Sequence, residues 1–153
     1  EDSQQIGTGE ANISEVSLFG ENNKRLSWVV GGEDVSLFIK FNANRNIRSY
    51  IVGFQLKDRL GQVVFADNTY LTYRQQVLNL DLGKTAEAVF EFRMPIIPTG
   101  EYSIGIVVAE GTQEKNNVIC WVHDALLLEA HASSIVHGHI SVPMRNIYVS
   151  DNP

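Results

Sequence analysis

The chain has 153 residues, of which 44% are hydrophobic and 20% are charged. This length predicts a single globular domain, and the composition excludes a disordered chain. The longest apolar runs have the length of strands, too short for a membrane-spanning helix. The net charge of −6 argues against a nucleic-acid partner, because binding nucleic acid requires clustered Lys and Arg.

The first ten residues begin without Met and contain no apolar signal segment, so we expect a piece of a longer protein. We expect residues 1–10 to be flexible. From there on, apolar and polar residues alternate in steps of two, which predicts strands with one buried face. The clearest runs are Val35–Phe41, Ala88–Met94 and Tyr102–Val108.

The sequence of residues 54–65 predicts a β-hairpin. Asp58 can open its turn through the side chain, and Gly61 can close it with a backbone angle that other residues avoid. Short strands separated by turn signals are typical of sandwiches and barrels, and no stretch shows the period of a capped helix. The sequence therefore predicts one all-β domain over residues 1–153, an antiparallel β-sandwich of the Ig-like or jelly-roll type.

The last segment, residues 139–150, predicts a further strand with Ile140, Val142 and Met144 on one face. Pro143 cannot donate to a ladder, which indicates an edge strand. A terminal strand on a loose connection can pair with a second copy of the chain. A homodimer with a swapped C-terminal strand is therefore a hypothesis.

Motifs for catalysis or cofactor binding are weak. The phosphate-loop (Walker A) pattern suggested by Gly83-Lys84-Thr85 also requires a glycine at position 78, which is Leu78. His137 and His139 share a strand face, but nothing fixes further metal ligands. We expect no cofactor, no metal and no enzymatic activity, although the sequence does not exclude a carboxylate pair.

Cys120 lies in an apolar run and is the only cysteine. A buried structural thiol is the favoured interpretation, and a disulfide within the chain is impossible. A chain without disulfides favours a reducing compartment.

Planar aromatic residues beside hydrogen-bonding groups indicate a possible sugar-binding surface. Trp121 and His123 share one strand face, and Tyr70 and Tyr73 precede Arg74. Sugar rings have apolar C–H faces that pack on aromatic rings, and hydroxyls that bind polar side chains. Each aromatic residue alone is also compatible with a place in the core.

Three segments resemble the Wzt C-terminal domain family: residues 52–70, 98–104 and 121–125. The resemblance covers most of the chain, but Ala66-Asp67 replaces an expected Gly-Thr pair. Asp67 could cap a turn or bind a sugar hydroxyl, and capping is the favoured role.

The resemblance implies a β-sandwich fused behind the ATPase domain of an ABC transporter subunit that works with a transmembrane subunit. It also implies binding of the capped non-reducing end of an O-antigen polysaccharide, on the cytoplasmic side of the bacterial inner membrane, and assembly into dimers. On this interpretation Lys57, Asp58, Arg59 and Gly61 build the scaffold. The candidate ligand-binding residues are Trp121, His123, Tyr70, Tyr73, Arg74, Trp28, His139 and Arg145.

Two alternatives stay open. The domain could be a structural dimerisation module of the ATPase subunit without affinity for glycans, or it could be a glycan-processing enzyme. The first alternative predicts a dimer without glycan binding, and the second requires an essential carboxylate pair.

Overall fold

The computed structural model describes residues 5–150, which fold into two packed β-sheets. The strands are β1 (Gln5–Gly7), β2 (Ala11–Phe19), β3 (Trp28–Val29), β4 (Asp34–Ala43), β5 (Tyr50–Asp58), β6 (Val63–Asn68), β7 (Thr85–Arg93), β8 (Gly100–Gly111) and β9 (Asn116–Ala130). The larger sheet has the order β1-β9-β8-β5-β6, with β3 also paired to β9, and the smaller sheet has the order β2-β4-β7. The predicted all-β sandwich is confirmed.

The core lies between the sheets and follows the alternation in the sequence. In β4, Leu37, Ile39 and Phe41 are fully buried, while the residues between them are half-buried or exposed. In β8, which belongs to the opposite sheet, Ile106 and Val108 are buried in the same way. Removing these apolar side chains from water is the main force that holds the two sheets together.

The predicted hairpin between β5 and β6 is also confirmed. The Asp58 carboxylate accepts hydrogen bonds from the backbone N–H groups of Leu60 and Gln62, both at 2.9 Å. Gly61 has φ +82°, which explains why glycine closes the turn. The end of β5 is therefore fixed by local hydrogen bonds.

Tyr102, near the start of β8, donates a hydrogen bond from its hydroxyl to the carbonyl oxygen of Pro98 at 2.7 Å. A buried tyrosine that bonds to the backbone a few residues upstream is a feature of Ig-like sandwiches, called the tyrosine corner. It holds the loop before β8 against the sheet.

The N-terminal segment, which we expect to be flexible over residues 1–10, contains the short strand β1. Gln5–Gly7 pair with β9, and the Gln5 side-chain amide donates to the Ile13 carbonyl oxygen at 2.6 Å and accepts from the Ile13 N–H at 3.1 Å. Gln5 thereby connects the edges of the two sheets. Residues 1–4 lie outside the described residues.

The C-terminal segment does not form the strand that the sequence predicts over residues 139–150. Its only pairing among the described residues is an isolated bridge between Ser141 and Ile96. Pro143 has no N–H with which to extend the ladder, which explains why pairing stops there. The apolar side chains beyond it are exposed: Met144, Ile147, Tyr148 and Val149.

Arg45 joins the two sheets through an ion-pair network. It contacts Glu10, which precedes β2, at 2.9 Å, and Glu110 at the end of β8 at 2.9 Å. Glu110 also accepts a hydrogen bond from the Arg48 N–H at 2.9 Å. The hydrogen bonds from Arg45 lower the pKa of both carboxyl groups.

We predict that the contribution of this network to stability depends on pH. Because folding lowers the pKa of both carboxyl groups below the ordinary value of 4.5, the contribution is complete above that value and is lost as the pH falls through the folded values. Arg45→Met should therefore lower the denaturant midpoint at neutral pH, and the difference from the unaltered protein should shrink at about pH 3.

Equilibrium unfolding in urea at both pH values measures this difference. The control is Arg59→Met, because Arg59 is exposed and forms no ion pair with other described residues. A midpoint difference for Arg45→Met that is equally large in acid would contradict the assignment of the network.

Candidate functional site

The outer face of the larger sheet contains a depression of about 560 Å³, which we name the trough. The face is recessed here because small residues, Gly53, Ala66 and Ala109, occupy outward positions on three strands. The residues that line it are Ile51, Gly53, Phe54, Gln55, Ala66, Asp67, Asn68, Leu71, Val107, Ala109, Gln113 and Asn116.

A row of cross-strand neighbours runs over this face from β6 to β1. The row consists of Asn68, Gly53, Val107, Trp121 and Ile6. Residues that lie directly opposite each other in neighbouring strands point to the same face of a sheet. Trp121 therefore borders the trough across Val107, and the half-exposed Ile6 flanks the indole on its other side.

Trp121 and His123 form a pair on this face, as the sequence predicts. Their ring centroids lie 4.2 Å apart, with an angle of 32° between the ring planes, and both side chains are half-buried. The pair presents a partly exposed aromatic surface beside Val107, a lining residue of the trough, and neither ring lines the trough itself. We name it the aromatic platform.

Amide side chains provide the polar groups of the trough. Asn68 donates to the Gln113 side-chain oxygen at 3.1 Å and accepts from the Tyr70 N–H at 3.0 Å. Gln55 is half-buried, and its amide has no hydrogen-bond partner among the described residues. A free amide at the edge of a depression can donate to and accept from a polar ligand.

Sequence analysis did not identify Gln55, Asn68 or Gln113 as candidate residues. The available signal was the outward position of Gln55 in an alternating strand, next to Gly53. The trough depends on which strands become neighbours, and the sequence pattern does not give that information.

The turn segment after β6 carries three of the predicted site residues, Tyr70, Tyr73 and Arg74. Leu71 of the same segment lines the trough, while Tyr70 is half-buried and Tyr73 is exposed. The structure therefore places this group at the side of the trough that lies opposite Trp121. Asp67 accepts a hydrogen bond from the Asn68 N–H at 2.7 Å, in agreement with the favoured capping role.

The other predicted residues lie elsewhere. Trp28 pairs with Glu129 and packs edge-on against His131 at 5.8 Å. Glu129 lies eight residues along β9 from Trp121, roughly 25 Å at the rise of a β-strand. His139 and Arg145 are exposed on the C-terminal segment and do not line the trough.

A second, more polar depression of about 580 Å³ lies on the same face near the β5–β6 turn. Its charged lining residues include Lys57, Arg59, Glu101 and Asp124, together with His123 of the aromatic platform. Within residues 5–150, no group of three or more His, Cys, Asp or Glu residues is arranged to hold a metal ion. His137 and His139 are exposed in a segment without strand structure.

Cys120 is buried, and burial raises the pKa of its thiol. Its sulfur lies 3.2 Å from the side-chain oxygen of Gln5. The predicted buried position is confirmed, and a raised pKa makes the reactive thiolate rare.

The two antiparallel sheets, the tyrosine corner and the trough define an Ig-like β-sandwich with a possible binding surface on its outer face. The family model of the Wzt C-terminal domain matches residues 2–142. The chain therefore belongs to the Wzt C-terminal domain family, the C-terminal domains of an ABC transporter subunit.

Comparison with solved structures agrees with this assignment. The crystal structure of the C-terminal domain of Wzt superposes with a TM-score of 0.83 at 15% sequence identity, covering 97% of this chain and 88% of that chain. A Niemann-Pick type C2 protein from the Japanese carpenter ant has a TM-score of 0.57 at 8% identity, covering 86% of this chain and 100% of that chain. Both similarities concern the fold alone.

No curated protein matches this chain significantly. Among residues 5–150 there is no helix with the length and apolar character needed to cross a membrane.

Proposed function

We propose that this chain binds the capped non-reducing end of an O-antigen polysaccharide in the trough, and that it thereby gives an ABC exporter its substrate specificity without catalysing a reaction. The observation that carries the proposal is the trough of about 560 Å³ bordered by the aromatic platform. Membership of the Wzt C-terminal domain family supports the same conclusion.

The chemistry of the trough suits a sugar. An indole at the border can pack on the apolar face of a pyranose ring, and His123 can donate to a hydroxyl. Gln55 and Asn68 provide amide donors and acceptors on the side away from Trp121. Arg74, in the adjacent turn segment, would bind an anionic cap if the polysaccharide carries one.

The size of the trough favours a chain end over a long segment. Its volume lies in the range of sites for small ligands, which hold a few linked groups at most. A terminal sugar with its cap is the part of a polysaccharide that such a site can select. Binding there would distinguish a finished chain from an unfinished one.

In the full transporter, the domain would follow the ATPase domain and would lie at the cytoplasmic face of the inner membrane. The partner of the parent chain would be the transmembrane subunit that carries the polysaccharide across. Binding of the chain end beside the ATPase would restrict export to the correct glycan.

We predict that Trp121→Ala lowers the affinity for the native capped O-polysaccharide by about tenfold or more, because a few aromatic residues commonly carry most of the binding energy. Gln55→Ala and Tyr70→Ala should weaken binding as well. Isothermal titration calorimetry with purified polysaccharide measures the affinities, and far-UV circular dichroism verifies the fold.

Trp28→Ala is the matched control, because Trp28 is an exposed tryptophan distant from the trough. Unchanged affinity in folded Trp121→Ala and Gln55→Ala variants would contradict the proposed site. A loss caused only by Trp28→Ala would move the site to the other end of β9.

The second candidate function, a dimerisation module without glycan affinity, is favoured by the exposed apolar C-terminal segment. Ile147, Tyr148 and Val149 are 82%, 78% and 95% exposed. Consecutive apolar side chains are unfavourable in water, and an exposed group of them marks an interaction surface. This candidate predicts a dimer that binds no glycan.

In this dimer, we propose that the C-terminal segment of each copy packs against β7 of the other copy. β7 is an edge strand, and an opening of about 530 Å³ lined by phenylalanines lies between β6 and β7. Val142 and Pro143 lie at this opening, so the chain leaves the domain there. In a dimer with a two-fold axis, the C-terminal segment of the second copy would reach this opening. It would pair there with the free edge of β7.

We predict that Ile147→Asp combined with Val149→Asp converts a dimer into a folded monomer, because a charged side chain is unfavourable in an apolar interface. Analytical ultracentrifugation measures the mass, with Leu60→Asp as the control because Leu60 is 78% exposed in the β5–β6 turn. A dimer that persists in the double variant would contradict the swapped arrangement.

A further inference from the structure

The side chain of Lys57 crosses the larger sheet on its outer face. Lys57 belongs to β5, yet its ammonium group donates to the His123 carbonyl oxygen in β9 at 2.7 Å and lies 3.7 Å from the Asp124 carboxylate. Strand β8 lies between β5 and β9. The Lys57 side chain is only 13% exposed, so it is packed onto the sheet.

The carbonyl that Lys57 binds belongs to a bulge. Ile104 pairs with Leu126 and Ile106 pairs with Val122, so β8 has one residue in this interval and β9 has three. Extra residues in one strand interrupt the regular ladder and change the direction of the side chains. Lys57 supplies a donor to the backbone at this irregular position.

Gly105 is the residue of β8 beneath this contact. A Cβ at position 105 would lie 2.9 Å from the His123 carbonyl oxygen, closer than packed atoms tolerate. Glycine leaves the space that the carbonyl occupies. The position of the His123 backbone therefore depends on the Lys57 ammonium, which binds its carbonyl oxygen, and on Gly105, whose small size leaves space for that oxygen.

The backbone of Lys57 is itself held in place. Lys57 precedes Asp58, whose carboxylate closes the β5–β6 turn through two backbone hydrogen bonds. Burial of an ammonium group is unfavourable unless its hydrogen bonds are satisfied, which makes the contact with His123 necessary in this position.

We propose that Lys57 and Gly105 are positioning residues that hold the His123 ring against Trp121 and so determine the specificity of the trough. Neither residue lines the trough; both act through the bulge in β9. The sugar-binding consequence rests on the proposed function, whereas the geometric claim stands on the hydrogen bond, the bulge and the space at Gly105.

The first test needs no glycan. In a Trp28→Phe background Trp121 is the only tryptophan, because the chain has two. Lys57→Met should change the Trp121 fluorescence maximum and remove the ring-current shift of the His123 ring protons in NMR spectra. Gly105→Ala should do the same because its methyl group would displace the His123 carbonyl, and Lys57→Arg, which keeps a donor, should restore the spectra.

Lys84→Met is the control, because Lys84 lies in an exposed turn. Amide spectra and circular dichroism verify that each variant is folded, and Lys57→Gln serves in place of Lys57→Met if the latter does not fold. Unchanged His123 resonances in a folded Lys57→Met or Lys57→Gln variant would overturn the proposal.

The second test uses the native capped O-polysaccharide. Lys57→Met and Gly105→Ala should each lower the affinity by about tenfold, the effect of losing one hydrogen bond to a charged group, and Lys57→Arg should recover most of it. Displaced His123 resonances with unchanged affinity would overturn the role in specificity. If the unaltered chain binds no polysaccharide, the proposed function fails, and the spectra alone decide the positioning claim.

Discussion

Burial of the inner faces of the two sheets is the constraint on which the rest of the structure depends. Leu37, Ile39 and Phe41 from the smaller sheet and Ile106 and Val108 from the larger one are removed from water. Because alternate residues fill the core, the residues between them must point outward. On the larger sheet the outward residues of β5, β6 and β8 include small and amide-bearing ones, which line the trough.

Two local irregularities give this face its chemistry. His123 lies against Trp121 at the start of the bulge in β9, and the Asp58 turn fixes the strand from which Lys57 reaches the bulge. Bulges commonly redirect side chains near functional sites. A regular sheet would present flat rows of alternating side chains, whereas this one has an aromatic surface beside a depression.

The sequence predicted those parts that depend on neighbouring residues. Alternation identified the strand Val35–Phe41, the Asp58 and Gly61 pattern identified the hairpin, and the spacing of Trp121 and His123 placed them on one face. The trough was not predicted, because it depends on the order of strands. The hydrogen bond from Lys57 joins residues 66 positions apart. Its acceptor is a backbone carbonyl, which every residue has, so the amino-acid sequence alone does not predict this contact.

The C-terminal segment shows that a local sequence pattern alone does not produce a strand. The alternation of Ile140, Val142 and Met144 predicted a strand, and that prediction was wrong for this chain, because a strand also needs a partner for its hydrogen bonds. Beyond the bridge at Ser141 the segment pairs with no strand among the described residues. Trp28 shows a related limit, because its distance from Trp121 follows from the pairing of β3 with the far end of β9.

Binding of a polysaccharide end in the trough is the central claim, and mapping by NMR tests it most directly. Assigned amide spectra of the isotopically labelled domain would be followed during titration with the native O-polysaccharide, with and without its terminal cap. Binding in the trough predicts saturable shifts at Gly53, Gln55, Val107 and Trp121 for the capped form only. Shifts confined to Trp28 and β3, or equal responses to both forms, would contradict it.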